Sequence, residues 1–158
     1  MNLQAFLPYR LAVLSEAVSR CVSQVYGERF QLSRDEWRVL AALAESDTMK
    51  STAAALHTTL DKMQVSRACG RLEGRRLIRR DEDPEDRRNK ILRLTPDGRR
   101  LLDQVVPIVQ AREADLLQVL DPQELRALEQ TIDKLLAQAR GISQSNGNPA
   151  CRRSEDRP

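Results

Sequence analysis

Apolar residues recur at spacings of three and four from Phe6 onward, at Leu7, Leu11, Leu14, Val18, Cys21, Val22 and Val25. This spacing predicts one long amphipathic helix that ends at Gly27. Ser33-Arg-Asp-Glu36 has the form of a capping box, in which the Ser hydroxyl accepts the third helical amide and the Glu carboxylate returns to the cap amide. It opens a helix from about Arg34 to Ala44. Ser51 to His57 reads as a short Ala-rich helix, and Asp61-Lys-Met-Gln64 is a second capping sequence that starts a helix running to about Glu73. Gly74 is placed to end that helix in a left-handed cap. Leu77 to Arg80 then reads as a strand. The charged stretch Asp81 to Lys90 contains Pro84 and is excluded as a central strand, while Ile91 to Leu94 pairs back as the second strand of a hairpin. Thr95-Pro96 supplies an N-cap followed by Pro at the first helical position, opening a helix to about Val119 that Pro107 should kink. Asp121-Pro-Gln-Glu124 repeats the start signal for a last helix, with Leu125, Leu128, Ile132, Leu135 and Leu136 on one face. Gly141 begins a polar tail without periodicity, expected to be disordered.

Long helix, three shorter helices, two-stranded hairpin and two more helices is the order of a winged helix-turn-helix. The predicted fold is therefore mostly α, with a two-stranded β wing and flanking N- and C-terminal dimerisation helices. Its segments are residues 1–30 (first dimerisation helix), 31–95 (winged lobe), 96–140 (C-terminal dimerisation helices) and 141–158 (tail). The first and last helices keep apolar faces longer than a compact monomer readily covers. Leu7 and Leu11 at one end, and Leu125, Leu128, Ile132 and Leu135 at the other, are the expected contacts of a homodimer.

Composition narrows the chemistry. Of 158 residues, only 3% are aromatic, and all five (Phe6, Tyr9, Tyr26, Phe30 and Trp37) fall in the first 37 positions. That disfavours single-stranded nucleic-acid binding through stacked aromatics. No apolar run approaches the roughly 18 residues of a membrane span, and no leader pattern opens the chain, so a cytoplasmic protein without a membrane partner is expected. Cys21, Cys69 and Cys151 form no CxxC pair, which argues against a disulfide framework and a metal site. His57 is the single histidine, and no GxSxG, GxGxxG or phosphate-loop pattern is present. No enzyme, catalytic residue, metal or cofactor is expected.

Charge is informative only by position. Between Arg67 and Arg100 there are twelve basic residues against seven acidic ones, a local net of +5 within a chain whose total is +3. Such enrichment suits phosphate neutralisation, which contributes affinity without sequence information. In the helix from Asp61, Val65, Ala68, Cys69 and Leu72 have the spacing of a buried face and turn Gln64, Ser66, Arg67 and Arg71 outward. Gln64 can pair with adenine and Arg67 with guanine, at roughly 1 to 3 kcal/mol per good pair, while Lys62, Met63 and Ser66 can reach thymine methyls or phosphates. At the hairpin turn, Arg87 and Arg88 are candidates for a narrow minor groove, with Asp86 orienting Arg88.

Several of these segments carry a family resemblance. Leu32 to Trp37 with Arg38-Val-Leu40, Val65-Ser-Arg with Arg71-Leu-Glu, Leu77-Ile, and Asp83-Pro-Glu-Asp-Arg-Arg followed by Leu94-Thr-Pro-Asp-Gly98 are similar to the multiple antibiotic resistance regulator (MarR) family. The resemblance implies a homodimeric winged-helix regulator, usually a repressor, that binds pseudo-palindromic double-stranded DNA and often releases it on binding a small ligand. It also implies a ligand pocket between the dimerisation helices and the winged lobe, and places the wing pair on Asp86 and Arg88. Gly70, inside the recognition helix, departs from what helix propensity favours by about 1 kcal/mol.

The effector expectation is an aromatic carboxylate or its coenzyme A thioester, held by Tyr9, Arg10 and Trp37. The alternative is that Tyr9 and Trp37 are core residues and Arg10 a surface charge. Two further readings stand beside the ligand-responsive repressor: a thiol-based oxidant sensor using Cys21, and a winged helix that binds protein and not DNA.

Overall fold

Both capping boxes form, and they set where two helices of the winged lobe begin. In this computed structural model, which describes residues 2–86 and 89–146, Ser33 Oγ accepts the Glu36 amide at 3.3 Å and Glu36 Oε2 accepts the Ser33 amide at 2.7 Å. The corresponding distances for Asp61 and Gln64 are 2.7 and 2.9 Å. After a short 3-10 turn at Leu3–Ala5, the elements are α1 (Leu7–Phe30), α2 (Arg34–Ala44), β1 (Thr48–Lys50), α3 (Ser51–Thr58), α4 (Lys62–Gly74), β2 (Ile78–Glu82), β3 (Lys90–Leu94), α5 (Pro96–Leu117) and α6 (Pro122–Asn146).

The chain divides into two units, one up to Asp115 and one from Leu116. In the first, the core gathers Tyr26 and Phe30 from the end of α1, Val39, Leu40 and Leu43 from α2, Val65, Ala68 and Leu72 from α4, Ile78 and Leu92 from the sheet, and Leu102 and Val105 from α5. The sheet has three antiparallel strands in the order β1-β3-β2, with Met49 opposite Leu92 and Arg80 opposite Leu92 from the other side. The expected two-stranded wing therefore gains a third strand. β1 is three residues long and carries no alternation that a sequence pattern detects; it forms because β3 offers a second edge.

Other boundaries also shift. Gly27 does not end α1, which continues to Phe30 and closes at Gln31 in the left-handed conformation, φ 52°. Nor is Gly74 the left-handed cap of α4. Arg76 takes that role, with φ 58°. Its amide donates to the Glu73 carbonyl at 2.8 Å and the Leu77 amide to the Leu72 carbonyl at 3.0 Å. This is the double bond pattern of a Schellman motif, and burial of Leu72 and Leu77 supplies its apolar contact. β2 begins at Ile78 and runs into the charged stretch through Asp81 and Glu82, as an edge strand. Arg79 and Arg93 face each other across the ladder, a repulsive pair that the Asp81 carboxylate bridges at 3.0 Å to Arg79 and 2.8 Å to Arg93.

Thr95 fastens the start of α5. Its hydroxyl donates toward the Arg76 and Leu77 carbonyls at 2.7 and 2.9 Å and accepts the Gly98 amide at 3.0 Å. Pro107 sits inside α5 without ending it.

In the second unit, Asp121 Oδ1 accepts the amides of Gln123 and Glu124, and Glu124 Oε2 accepts the Asp121 amide at 2.9 Å, a third capping box. α6 continues through Gly141, the expected start of the tail, to Asn146; residues 147–158 lie outside the described residues. Among residues 122–144 of α6 none is buried within the chain.

Candidate DNA interface

α4 buries one face and presents another. Val65, Ala68, Cys69 and Leu72 are buried, as their spacing predicts, and Lys62, Met63, Ser66 and Arg67 are exposed, Met63 to 68%. Burial pushes the Cys69 thiol up to about 11, so it remains protonated and inert near neutral pH. Among the described residues neither Lys62 nor Arg67 has an ion-pair partner.

Two of the expected DNA contacts have other partners. The Gln64 side-chain oxygen accepts the Asp61 amide at 2.9 Å, so bidentate pairing with adenine requires the capping box to open. Arg71 Nε donates to Glu36 Oε1 at 3.2 Å, and the Glu36 carboxylate is 6% exposed. Burial pushes the Glu36 carboxyl up, but hydrogen bonds from Ser33 and the nearby Arg71 guanidinium outweigh it and leave the group below the usual carboxylate range. Arg71, itself 49% exposed, thus pairs with a buried carboxylate and does not stand free on the outer face.

The wing is fastened both to α4 and to the β1–α3 junction. On one side Arg80 of β2 donates to Glu73 of α4, Nε to Oε2 at 2.7 Å, and this bond holds the Glu73 carboxyl below its usual range. On the other, Lys50 reaches the wing carboxylates of Asp83 and Glu85 at 2.9 and 3.2 Å. Asp86 accepts the Asn89 side-chain amide at 3.1 Å, and its carbonyl accepts the Asn89 backbone amide at 2.8 Å. Arg87 and Arg88, the expected minor-groove contacts, lie outside the described residues. A groove of about 470 Å³ between α4 and the wing is lined by Lys62, Ser66, Arg80, Asp86, Asn89 and Lys90, among others.

The local charge excess is far less available than its count suggests. Besides Arg71 and Arg80, Arg75 bonds two backbone carbonyls, Arg79 and Arg93 share Asp81, Lys90 pairs with Glu82, Arg99 with Asp47 and Arg100 with Asp97. Sequence periodicity identified the outward face but had no means of finding Glu36, Glu73 or Lys50 as partners, because each lies at least seven positions from the residue that it holds.

The region around this interface matches the family model described as the MarR family, over residues 30–89. Over 105 residues, the chain is 26% identical to the transcriptional regulator HosA of Escherichia coli O111:H-, covering 66% of this chain and 78% of that protein. A MarR-family transcriptional regulator from Silicibacter pomeroyi is 26% identical with a TM-score of 0.73, covering 87% of this chain and 92% of that one. Residues 30–89 match the MarR family, and over most of its length the chain resembles MarR-family DNA-binding regulators. A second structural relative, at 24% identity and TM-score 0.76, is Bordetella bronchiseptica BpsR, whose DNA binding is regulated by 6-hydroxynicotinic acid; the match covers 85% of this chain and 96% of BpsR. These relatives are transcriptional regulators, and on that ground the chain is not an enzyme.

The residues expected to hold an effector are not brought together in one chain. Trp37 is half-buried and stacks on Tyr26, ring centroids 5.3 Å apart. It lines a cleft of about 510 Å³ with Arg38, Ala41, Met49, His57 and Thr59, among others. Arg38 donates to the Thr58 carbonyl and Thr59 hydroxyl at 3.4 and 3.2 Å, and all three residues line that cleft. Tyr9 and Arg10 instead line a separate groove of about 340 Å³ with Gln4, Val13, Leu14 and Ala17. Cys21 is half-buried on α1. No group of three or more His, Cys, Asp or Glu among the described residues is placed to hold a metal ion, and no helix among them is long and apolar enough to cross a membrane.

Proposed function

We propose that this regulator acts as a homodimeric repressor that binds a pseudo-palindromic duplex and is released by a small aromatic acid or its coenzyme A thioester. The observation that carries the DNA contact is the outer face of α4, where Lys62, Met63, Ser66 and Arg67 are exposed and the two cations have no partner among the described residues. Arg67 is the residue assigned to guanine, and Lys62 and Ser66 to phosphate or thymine. Arg87 and Arg88 are assigned to the minor groove beside the wing. Two-fold symmetry sets the two α4 helices roughly 34 to 36 Å apart, one DNA turn.

Support for the dimer comes from apolar exposure in each unit. Leu7 and Leu11 are 50% and 45% exposed on α1; Leu128, Ile132 and Leu135 are exposed on α6, with Leu125 beside them half-buried. A second copy of the chain supplies the cover. For the effector, the cleft beside Trp37 joins an aromatic wall to the Arg38 guanidinium, the combination that an aromatic carboxylate needs. BpsR shares this fold and responds to an aromatic acid, which supports the same chemical class here. Tyr9 and Arg10 belong to this reading only if the partner chain brings them to the cleft.

The test has three arms on the full chain. Light scattering should give a dimer mass, and Ile132→Asp should halve it. Affinity for a duplex selected from a random-sequence library should fall steeply with salt. Benzoic, phenylacetic and hydroxynicotinic acids and their thioesters should include a compound that raises the melting temperature and lowers duplex affinity. Salt-insensitive or absent duplex binding favours a protein-interaction module, and release by peroxide that Cys21→Ser abolishes favours the oxidant sensor.

A further inference from the structure

Two arginines one turn apart near the end of α4, Arg71 and Arg75, both reach the junction between α1 and α2. Arg75 donates from both terminal nitrogens, Nη1 to the Gln31 carbonyl and Nη2 to the Phe30 carbonyl, each at 3.0 Å. These carbonyls close α1, at the end where the helix dipole is negative and a cation is favoured. Arg71 takes the other side of the junction: Nε to Glu36 Oε1 at 3.2 Å and Nη2 to Ser33 Oγ at 3.4 Å, the two members of the α2 capping box. The chain between these contacts is tightly specified. Gln31 is left-handed, Leu32 is buried, and the α1 residues Tyr26 and Phe30 plug into the core immediately before it.

We infer that Arg71 and Arg75 are positioning residues for DNA recognition. They fix the angle of α4 against the α1–α2 junction and so determine where Lys62, Ser66 and Arg67 meet the duplex, without touching it themselves. This rests on the assignment of the outer face of α4 to DNA. Both bonds are made by a planar guanidinium that reaches two acceptors at once, a geometry that Lys does not reproduce. A displacement of the last turn of α1 is therefore carried to α4 directly, through the two Arg75 bonds.

The experiment measures affinity against salt for the full chain and for Arg67→Ala, Arg71→Ala, Arg75→Ala and Arg75→Lys. Two duplexes are used, one selected by the protein from a random library and one of random sequence. Only variants that remain folded at the assay temperature by circular dichroism are compared, and Arg75→Lys keeps the charge should the alanine variant unfold. The expected result is that Arg71 and Arg75 variants lose about tenfold in preference for the selected over the random duplex. Their salt slope on random duplex should equal that of the unaltered chain. Arg67→Ala removes a cation that on random duplex neutralises phosphate in place of reading guanine, and should lower the slope by about 0.9. A slope reduced equally in Arg75→Ala makes Arg75 a phosphate contact and overturns the inference, as does an unchanged preference in both Arg75 variants. Failure of the underlying DNA assignment has a different signature: the unaltered chain and Arg67→Ala then share the same weak, salt-insensitive binding.

Discussion

Lys50 Nζ lies 2.9 Å from Asp83 Oδ2, joining a lysine 46% exposed to a carboxylate only 2% exposed. Lys50 ends β1 and caps α3, while Asp83 follows β2 at the root of the wing and accepts the Glu85 amide at 3.0 Å through its other oxygen. The lysine bond, with help from that amide, holds the Asp83 carboxyl below its usual range. Removing the cation leaves a buried carboxylate without its counter-charge. Lys50→Met should loosen the wing: amide exchange in residues 82–90 should rise about tenfold while exchange in α2 stays as it is. Equal protection of the wing in both proteins would show that the turn holds without Lys50.

Gly98 fits where no side chain fits. A Cβ there would lie 2.1 Å from the Leu77 carbonyl oxygen and 2.8 Å from Leu94 Cδ1. Because the first obstacle is backbone, relief requires α5 to move away from the α4–β2 turn that Thr95 binds. Gly98→Ala should destabilise the protein by about 3 kcal/mol, read from the urea midpoint at unchanged slope.

Gly70 behaves in the opposite way. It is exposed, lies inside α4, and a Cβ built on it meets nothing within 4 Å. Packing within the chain therefore gives no reason for the glycine, and Gly70→Ala should stabilise the free protein by about 1 kcal/mol. The same urea titration that condemns alanine at 98 should favour it at 70.

Acid should act through Glu36. Since its folded pKa is lowered, its contribution is complete above the ordinary carboxylate pKa and disappears as pH falls through the lower folded value. Between about pH 6 and about pH 3 the unaltered protein should lose more stability than Glu36→Gln, whose amide does not titrate. Parallel curves for the two would remove Glu36 as an acid-sensitive site.

Local signals in the sequence were sufficient for the helices. Two capping boxes, the Thr95-Pro96 start and the buried stripe of α4 appear where their spacing puts them, because caps and amphipathic periodicity act within four residues. What escaped detection is non-local. β1 exists through its pairing with β3, more than forty residues away in the chain. The Arg71–Glu36 and Lys50–Asp83 bonds each join positions more than thirty apart. The two misplaced glycine caps have a related cause: Gln31 and Arg76 are held in the left-handed region by hydrogen bonds that compensate for the absence of glycine. Likewise, Tyr9, Arg10 and Trp37 lie close enough in sequence to suggest one pocket, but α1 is long enough to separate them.

The internal pairing of the arginines has a consequence for how the regulator moves through a genome. Ten of the twelve basic residues between Arg67 and Arg100 are described, and eight of them are bonded to acidic groups or backbone carbonyls of the same chain. Sequence-blind attraction to DNA scales with the cations free to displace counterions. Among the described residues of that stretch only Arg67 and Arg76 are left uncommitted, so it should add little to the hold of sites the protein does not regulate. Discrimination should then rest on the shape and base edges of the sites it does regulate.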